Sequence, residues 1–447
     1  MVGSLRLTHP TVLGFNILIM YTYKKEVLSN GLRVIYIEMP HIHSVVMAAY
    51  IGLGSRYEDE KKLGISHFLE HMLFRGTKRF KNSFELLQAI DNIGGDSDAY
   101  TSPEYSAVVI QVHNKHIEKG LEILGDIILG GNFKPDDIEV ERRIIQEEMK
   151  QFVDVKGDYV GIDDMSFSLM WKDGSTEAPL FGDEKTIAAV TEEDLNTHYK
   201  KFFVPENIVL CISGNFEKEL VTRHIKDLFG NLQGKFSAQK PLLKTRQTEP
   251  RYLFKKSPSQ TASFKLCHKA YPYRHKNVII MLLLADVLGG GISSRLSLNI
   301  REKLGLVYEI ACYPTMFSDV GSLDIYTSTK KENFEKTAQA VMDEVHKLFH
   351  EGITEQELSR TEERVFSQMQ LVMDSPLAMA NWFGIEELLI TPETPDTPEK
   401  QAQKIHDIKL DDVHNVISEI FVPEKRNFIV VGAFSWLGKK HTISLLK

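Results

Sequence analysis

Two imidazoles and a carboxylate fall within five residues in His67-Phe68-Leu69-Glu70-His71. On a helix, at about 100° per residue, His71 lies about 40° to one side of His67 and Glu70 about 60° to the other, so all three project from one face. Two imidazoles so placed can meet one divalent ion. The H-x-x-E-H order inverts the zincin helix, in which two histidines bind zinc and the glutamate is the base. A catalytic zinc takes a third protein ligand and keeps a further position for water. Candidates stand in Glu141-Arg142-Arg143-Ile144-Ile145-Gln146-Glu147-Glu148. Residues 141 and 148 share a face within about 20°, whereas Glu147 is turned about 100° from Glu148. Without the histidines, this run would read as a solvated charged face.

The elements that must position these groups are legible in part. A helix from about Ser66 carries the histidines, and Pro135 suits the first turn of a long helix that runs past Met149 and carries the glutamates. Glu26 to Leu28 and Leu32 to Glu38 flank Asn30-Gly31, a strong hairpin signal. His43 to Ile51 and Ser106 to Val112 read as strands. Helices are predicted from Asn82 or Ser83 to Gly94-Gly95, and over Lys115 to Leu129. Hairpins mixed with helices predict an α+β fold, with helices packed on a mainly antiparallel sheet.

The unit is duplicated. Phe203-Val204-Pro205-Glu206, followed by Ile208 to Ile212, Gly214 and Phe216, recurs as Phe421-Val422-Pro423-Glu424, Phe428 to Val431, Gly432 and Phe434. Gly64-Ile65-Ser66 recurs as Gly291-Ile292-Ser293. The organisation expected is an N-terminal extension over 1–20, a zinc-binding half over 21–233, a linker over 234–250 and a repeat half over 251–447. In that second half Ser294, Ser297 and Leu298 stand where His67, Glu70 and His71 would be, so it carries no metal ligands.

Composition narrows the class without naming it. The chain has 447 residues, 43% hydrophobic and 26% charged, as soluble two-domain proteins do. A net charge of -8 gives no basic field for nucleic acid. Cys211, Cys267 and Cys312 form neither a CxxC motif nor a disulfide framework, which fits a reducing, cytoplasmic setting. The apolar run Thr11 to Met20 is too short to span a bilayer; it reads as an extended N-terminus or as a cleaved signal.

The motifs resemble those of the pitrilysin-type (M16) zinc peptidases, which include mitochondrial processing peptidase and insulin-degrading enzyme. In that family H-x-x-E-H is followed, about 75 residues later, by a helix reading E-R-x-x-x-x-E-E, as here. The likeness runs from Leu32 to about Phe434 and includes Gly52 to Glu58 and Phe74-Arg75-Gly76-Thr77. It implies one zinc per active chain held by His67, His71 and Glu148, with Glu70 as the base and Glu141 as a supporting acid. It also implies that Arg301 and Tyr308 reach the peptide backbone and the developing oxyanion, from the facing subunit in two-chain members. Asp98, Ala99 and Tyr100 would belong to an edge strand that pairs with extended peptide. Asp98 departs from the asparagine common at that place. The implied function is a zinc metalloendopeptidase acting on short or unfolded peptides, as a homodimer or a heterodimer with a second such chain. A non-catalytic scaffold of the same fold and a partner subunit of an active homologue are the alternatives.

Overall fold

Asn30 builds the first turn from its own side chain. Its amide donates to the carbonyls of Phe229 (2.9 Å) and Leu232 (3.1 Å), and its Oδ1 accepts from the Leu32 amide at 3.2 Å. Gly31 takes the positive φ, 92°, that the turn requires. In the computed structural model, which describes residues 21–131, 133–171, 179–243, 246–391 and 393–446, strands β1 (Thr22–Val27) and β2 (Arg33–Glu38) pair antiparallel from this turn. The predicted extension over 1–20 lies outside the described residues.

The first sheet has six strands. With β3 (Ser44–Ile51), β4 (Asp96–Thr101), β5 (Ser106–His113) and β6 (Ile208–Gly214), its order is β1-β2-β6-β3-β5-β4, antiparallel except for β2 against β6. The second comprises β7 (Arg251–Lys256), β8 (Thr261–Ala270), β9 (Val307–Met316), β10 (Gly321–Lys330) and β11 (Arg426–Gly432), in the order β7-β11-β8-β10-β9. Its one parallel pair is β7 with β11. The five strands from β2 to β4 thus have a counterpart each in the second sheet, as the duplicated Phe-Val-Pro-Glu segments predict. The repeat extends to strain. Gly214 and Gly432, ending equivalent strands, have φ of 137° and 124°, and a Cβ on either would strike the backbone of the neighbouring strand, at Ser44 and Thr261 respectively.

Strand β3 is apolar at almost every position, the pattern of a strand buried on both faces. Val45, Met47, Ala49 and Ile51 face helices of their own half, whereas Val46, Ala48 and Tyr50 meet Met379, Ala380 and Phe383 of the helix Pro376–Ile390, which belongs to the second half of the chain. The loan is returned. The helix Ile162–Trp171 of the first half packs Met170 and Trp171 against Cys267, Ile429 and Val431 of the second sheet. Each sheet is therefore closed by a helix from the other half, an arrangement that no local periodicity announces.

Between Phe229 and Arg251 the described residues carry no helix or strand. This segment is nonetheless fixed. Arg56, buried, donates to Glu104 (2.6 Å), to both oxygens of Asp319 (2.8 and 2.7 Å) and to the Pro241 carbonyl (2.8 Å), while Lys240 also pairs with Glu104. Removing one member of so buried a charge set would leave the others uncompensated. The network ties the β4–β5 turn to the second sheet.

A helix follows Gly291-Ile292-Ser293, as one follows Gly64-Ile65-Ser66, but it is wound more widely. Ser297–Lys303 forms a wide π-helical turn, which keeps Leu296 and Ile300 fully buried. Such turns recur at functional sites. Among the described residues no helix is long and apolar enough to cross a membrane.

Candidate metal centre

The helix Ile65–Leu73 buries Ile65, Phe68, Leu69 and Met72 in the first core, at the spacing of a helical stripe. That anchoring turns His67, Glu70 and His71 toward the helix Pro135–Met149. Its first turn starts from Gly64 in a left-handed conformation without a side-chain cap of its own. Glu58 supplies the cap: its two oxygens accept from the amides of Gly64 (2.7 Å) and Ser66 (2.8 Å). A carboxylate there satisfies orphan donors and meets the positive end of the helix dipole. Burial pushes the Glu58 carboxyl above its ordinary range, and these hydrogen bonds oppose that shift.

On the facing helix, Glu148 points at both histidines. His67 Nε2 and His71 Nε2 are 3.2 Å apart, and Glu148 Oε2 lies 3.7 and 3.6 Å from them. Bonds of about 2.0–2.2 Å at tetrahedral angles put ligand atoms about 3.3–3.5 Å apart, so this triangle has the size a zinc ion requires. The chemistry of the set agrees. His71 Nδ1 is 3.0 Å from Glu141 Oε2, a bond to a carboxylate that places the proton on Nδ1 and leaves Nε2 a bare lone pair. His67 is held neutral, with its pKa pushed down to about 3 by burial and next by the neighbouring His71. Two imidazole nitrogens and a carboxylate oxygen therefore converge, a donor set of the kind that zinc takes.

Glu141 is placed by the seven-residue spacing. It also accepts from Arg75, and although burial favours its neutral form, its bonds to His71 and Arg75 hold its carboxyl below the usual range. His71 is displaced upward on balance: burial alone would lower it, but the Glu141 bond and the nearby carboxylates outweigh that. Glu141→Gln should therefore weaken zinc binding by about 10–100-fold while leaving the fold intact, measurable by competition with a chromophoric chelator. An unchanged zinc affinity would remove Glu141 from its supporting role.

Glu70 is half-buried, its carboxyl raised by burial and restrained by a hydrogen bond from Thr101 Oγ1 at 2.7 Å. Phe181 stands edge-on against the His67 ring, with centroids 4.6 Å apart, and walls that side of the centre. Glu147, by contrast, is exposed and pairs with Lys150.

Sequence reasoning missed Glu58, Arg75, Thr101 and Phe181 as parts of the site. Glu58 and Arg75 lie in segments that carry the family resemblance, and Thr101 follows the residues assigned to the edge strand, but no spacing ties any of the three to the histidine helix. Phe181 follows a segment with no pattern at all.

Asp98, Ala99 and Tyr100 lie on β4, which is the edge of its sheet and ends at Thr101 beside Glu70. Alternation puts Ala99 and Thr101 on one face and Asp98 and Tyr100 on the other. The Tyr100 hydroxyl reaches Asn381 on the helix Pro376–Ile390, at 3.3 Å. Asp98 is exposed. Arg301 sits in the π-helical turn and Tyr308 on β9, the edge strand of the second sheet. The Arg301 guanidinium lies 5.8 Å from the centre of the Tyr308 ring, and Tyr308 is 87% exposed. Neither hydrogen-bonds nor ion-pairs with the metal ligands within the chain. Among the described residues, His67, His71 and Glu148 form the set grouped closely enough to hold a metal.

Comparison with known proteins identifies the family. A family profile described as Insulinase (Peptidase family M16) matches residues 33–184, and one described as Peptidase M16 inactive domain matches residues 189–365. An uncharacterized zinc protease of Bacillus subtilis, YmxG, is 28% identical over 404 residues, covering 90% of this chain and 96% of that one. An uncharacterized zinc protease of Rickettsia felis is 31% identical over 395 residues, covering 88% and 94%. The crystal structure of a protease from Helicobacter pylori shares the fold with a TM-score of 0.84 at 21% identity, over 92% of this chain and 100% of that one. From its two matched domains and its relatives over nearly its full length, the chain belongs to peptidase family M16.

Proposed function

We propose that this chain is a zinc metalloendopeptidase that hydrolyses short or unfolded peptides. The observation that carries the reading is the convergence of two imidazole nitrogens and a carboxylate oxygen, 3.2–3.7 Å apart, with an unligated carboxylate on the same helix face. Zinc held by His67, His71 and Glu148 would supply a water of near-neutral pKa and a Lewis acid for the scissile carbonyl. Glu70 takes the proton of the attacking water and returns it to the leaving amine. Glu141 keeps His71 in the tautomer that presents Nε2. The free edge of β4 is suited to bind an extended peptide through main-chain hydrogen bonds, which favours tolerance of many sequences.

Arg301 and Tyr308 are donors suited to a developing oxyanion. Both are exposed, Arg301 at 42% and Tyr308 at 87%, and neither bonds to the ligands of its own chain, which favours their use by a second copy across a dimer. Two observations on the purified chain test the reading: stoichiometric zinc by elemental analysis, and cleavage of an unfolded peptide that a chelator stops and added zinc restores. A zinc-loaded chain that cleaves nothing would instead favour the scaffold alternative. The dimer has its own test. Chains bearing Glu70→Gln and chains bearing Arg301→Ala, each inactive alone, should recover about a quarter of wild-type activity when mixed, since half the random dimers are mixed and each of those keeps one intact site. No recovery after confirmed subunit exchange would place Arg301 in its own chain's site or outside catalysis.

A further inference from the structure

The Glu70 carboxylate, on the helix face of the histidine ligands, is held by a chain of two hydroxyls. Thr101 Oγ1 donates to Glu70 Oε2 at 2.7 Å and lies 3.1 Å from the hydroxyl of Ser106, its partner across the β4–β5 pair. Ser106, buried, donates to the carbonyl of Leu53 at 3.0 Å. A hydroxyl has one proton. Since that of Ser106 is committed to Leu53, Ser106 can only accept from Thr101. The Thr101 proton accordingly has two acceptors, the carboxylate and Ser106, and the shorter bond, to the carboxylate, takes it.

From this geometry we infer that Thr101 is the positioning residue of the base: its hydroxyl pins one oxygen of Glu70 and so holds the carboxylate on the helix face that it shares with His67 and His71. Thr101 closes the edge strand β4, and Ser106 opens β5, so the strand suited to hold the peptide and the group that moves the proton share one hydrogen-bonded anchor. The catalytic part of this inference rests on the peptidase reading above, but the anchoring of Glu70 does not.

Two variants test it. Thr101→Val keeps the shape and loses the hydroxyl; Thr101→Ser keeps the hydroxyl. Thr101→Val should retain zinc at the wild-type ratio and lower kcat by about ten- to a hundredfold, with KM within about twofold, as expected for misplacement of a reacting group. Thr101→Ser should recover most of kcat. On a Glu70→Gln background Thr101→Val should add little, because it acts through Glu70. A crystal structure of Thr101→Val should show the Glu70 carboxylate moved or spread over rotamers. Wild-type kcat in Thr101→Val, failure of Thr101→Ser to recover, full additivity with Glu70→Gln, or a Glu70 carboxylate unmoved in the variant crystal would each overturn the inference. The two readings also fail separately: if the wild-type chain cleaves nothing, the peptidase reading is lost, and the variant crystal still decides whether Thr101 holds Glu70.

Discussion

Glu70→Gln is expected to bind zinc as tightly as the wild type and to lose about two to four orders of magnitude in kcat. The argument starts from shape. Glutamine has the outline of glutamate, can still accept from Thr101, and leaves the cap at Glu58 and the ligands at His67, His71 and Glu148 untouched. What it lacks is a basic oxygen. The amide can neither take a proton from water nor return one to an amine, so the loss falls on the chemical step and spares substrate binding, giving a lower kcat at nearly constant KM. Burial already raises the wild-type Glu70 carboxyl toward the range useful to a general base near neutrality. Elemental analysis and steady-state kinetics on one unfolded peptide check the result. Loss of zinc would make Glu70 a ligand, and near-normal turnover would take the proton transfer away from it.

The histidine pair was legible because its geometry is local, whereas the choice of Glu148 over Glu141 as third ligand came from the family resemblance. A helix fixes the angles among residues 67, 70 and 71, and likewise the seven-residue spacing of 141 and 148, before any tertiary structure is known. The repeat was legible because a proline-terminated helix followed by a buried strand leaves the same residues twice. What the sequence hid depends on non-local packing. The cap on the histidine helix comes from Glu58, in a stretch without periodicity. Thr101 meets Glu70 only because β4 runs under that helix. The exchange of the helices Ile162–Trp171 and Pro376–Ile390 between the sheets has no sequence signature either: each has an apolar surface whose partner lies more than 90 residues along the chain.

That division also governs the second large effect. Glu148 lies more than 70 residues beyond the histidines, on a separate helix, so its removal tests whether the two helices were brought together for a metal. Four-ligand zinc sites bind with about 10–16 kcal/mol, or about 2.5–4 kcal/mol per ligand, so Glu148→Ala should weaken zinc affinity by about 10²–10³-fold. This exceeds the loss expected for Glu141→Gln, because Glu141 acts on the ion only through His71. The fold should survive, since Glu148 is partly exposed and contributes nothing to the apolar stripe that seats its helix through Ile138 and Ile145. Excess zinc should refill the variant without restoring full turnover, because two imidazoles alone do not fix the ion opposite Glu70. Zinc affinity by chelator competition, read beside the thermal transition of the apo chain, separates the outcomes. A Glu148→Ala chain that binds zinc like the wild type would break the metal centre as drawn, whereas one that merely unfolds would make the glutamate a structural residue.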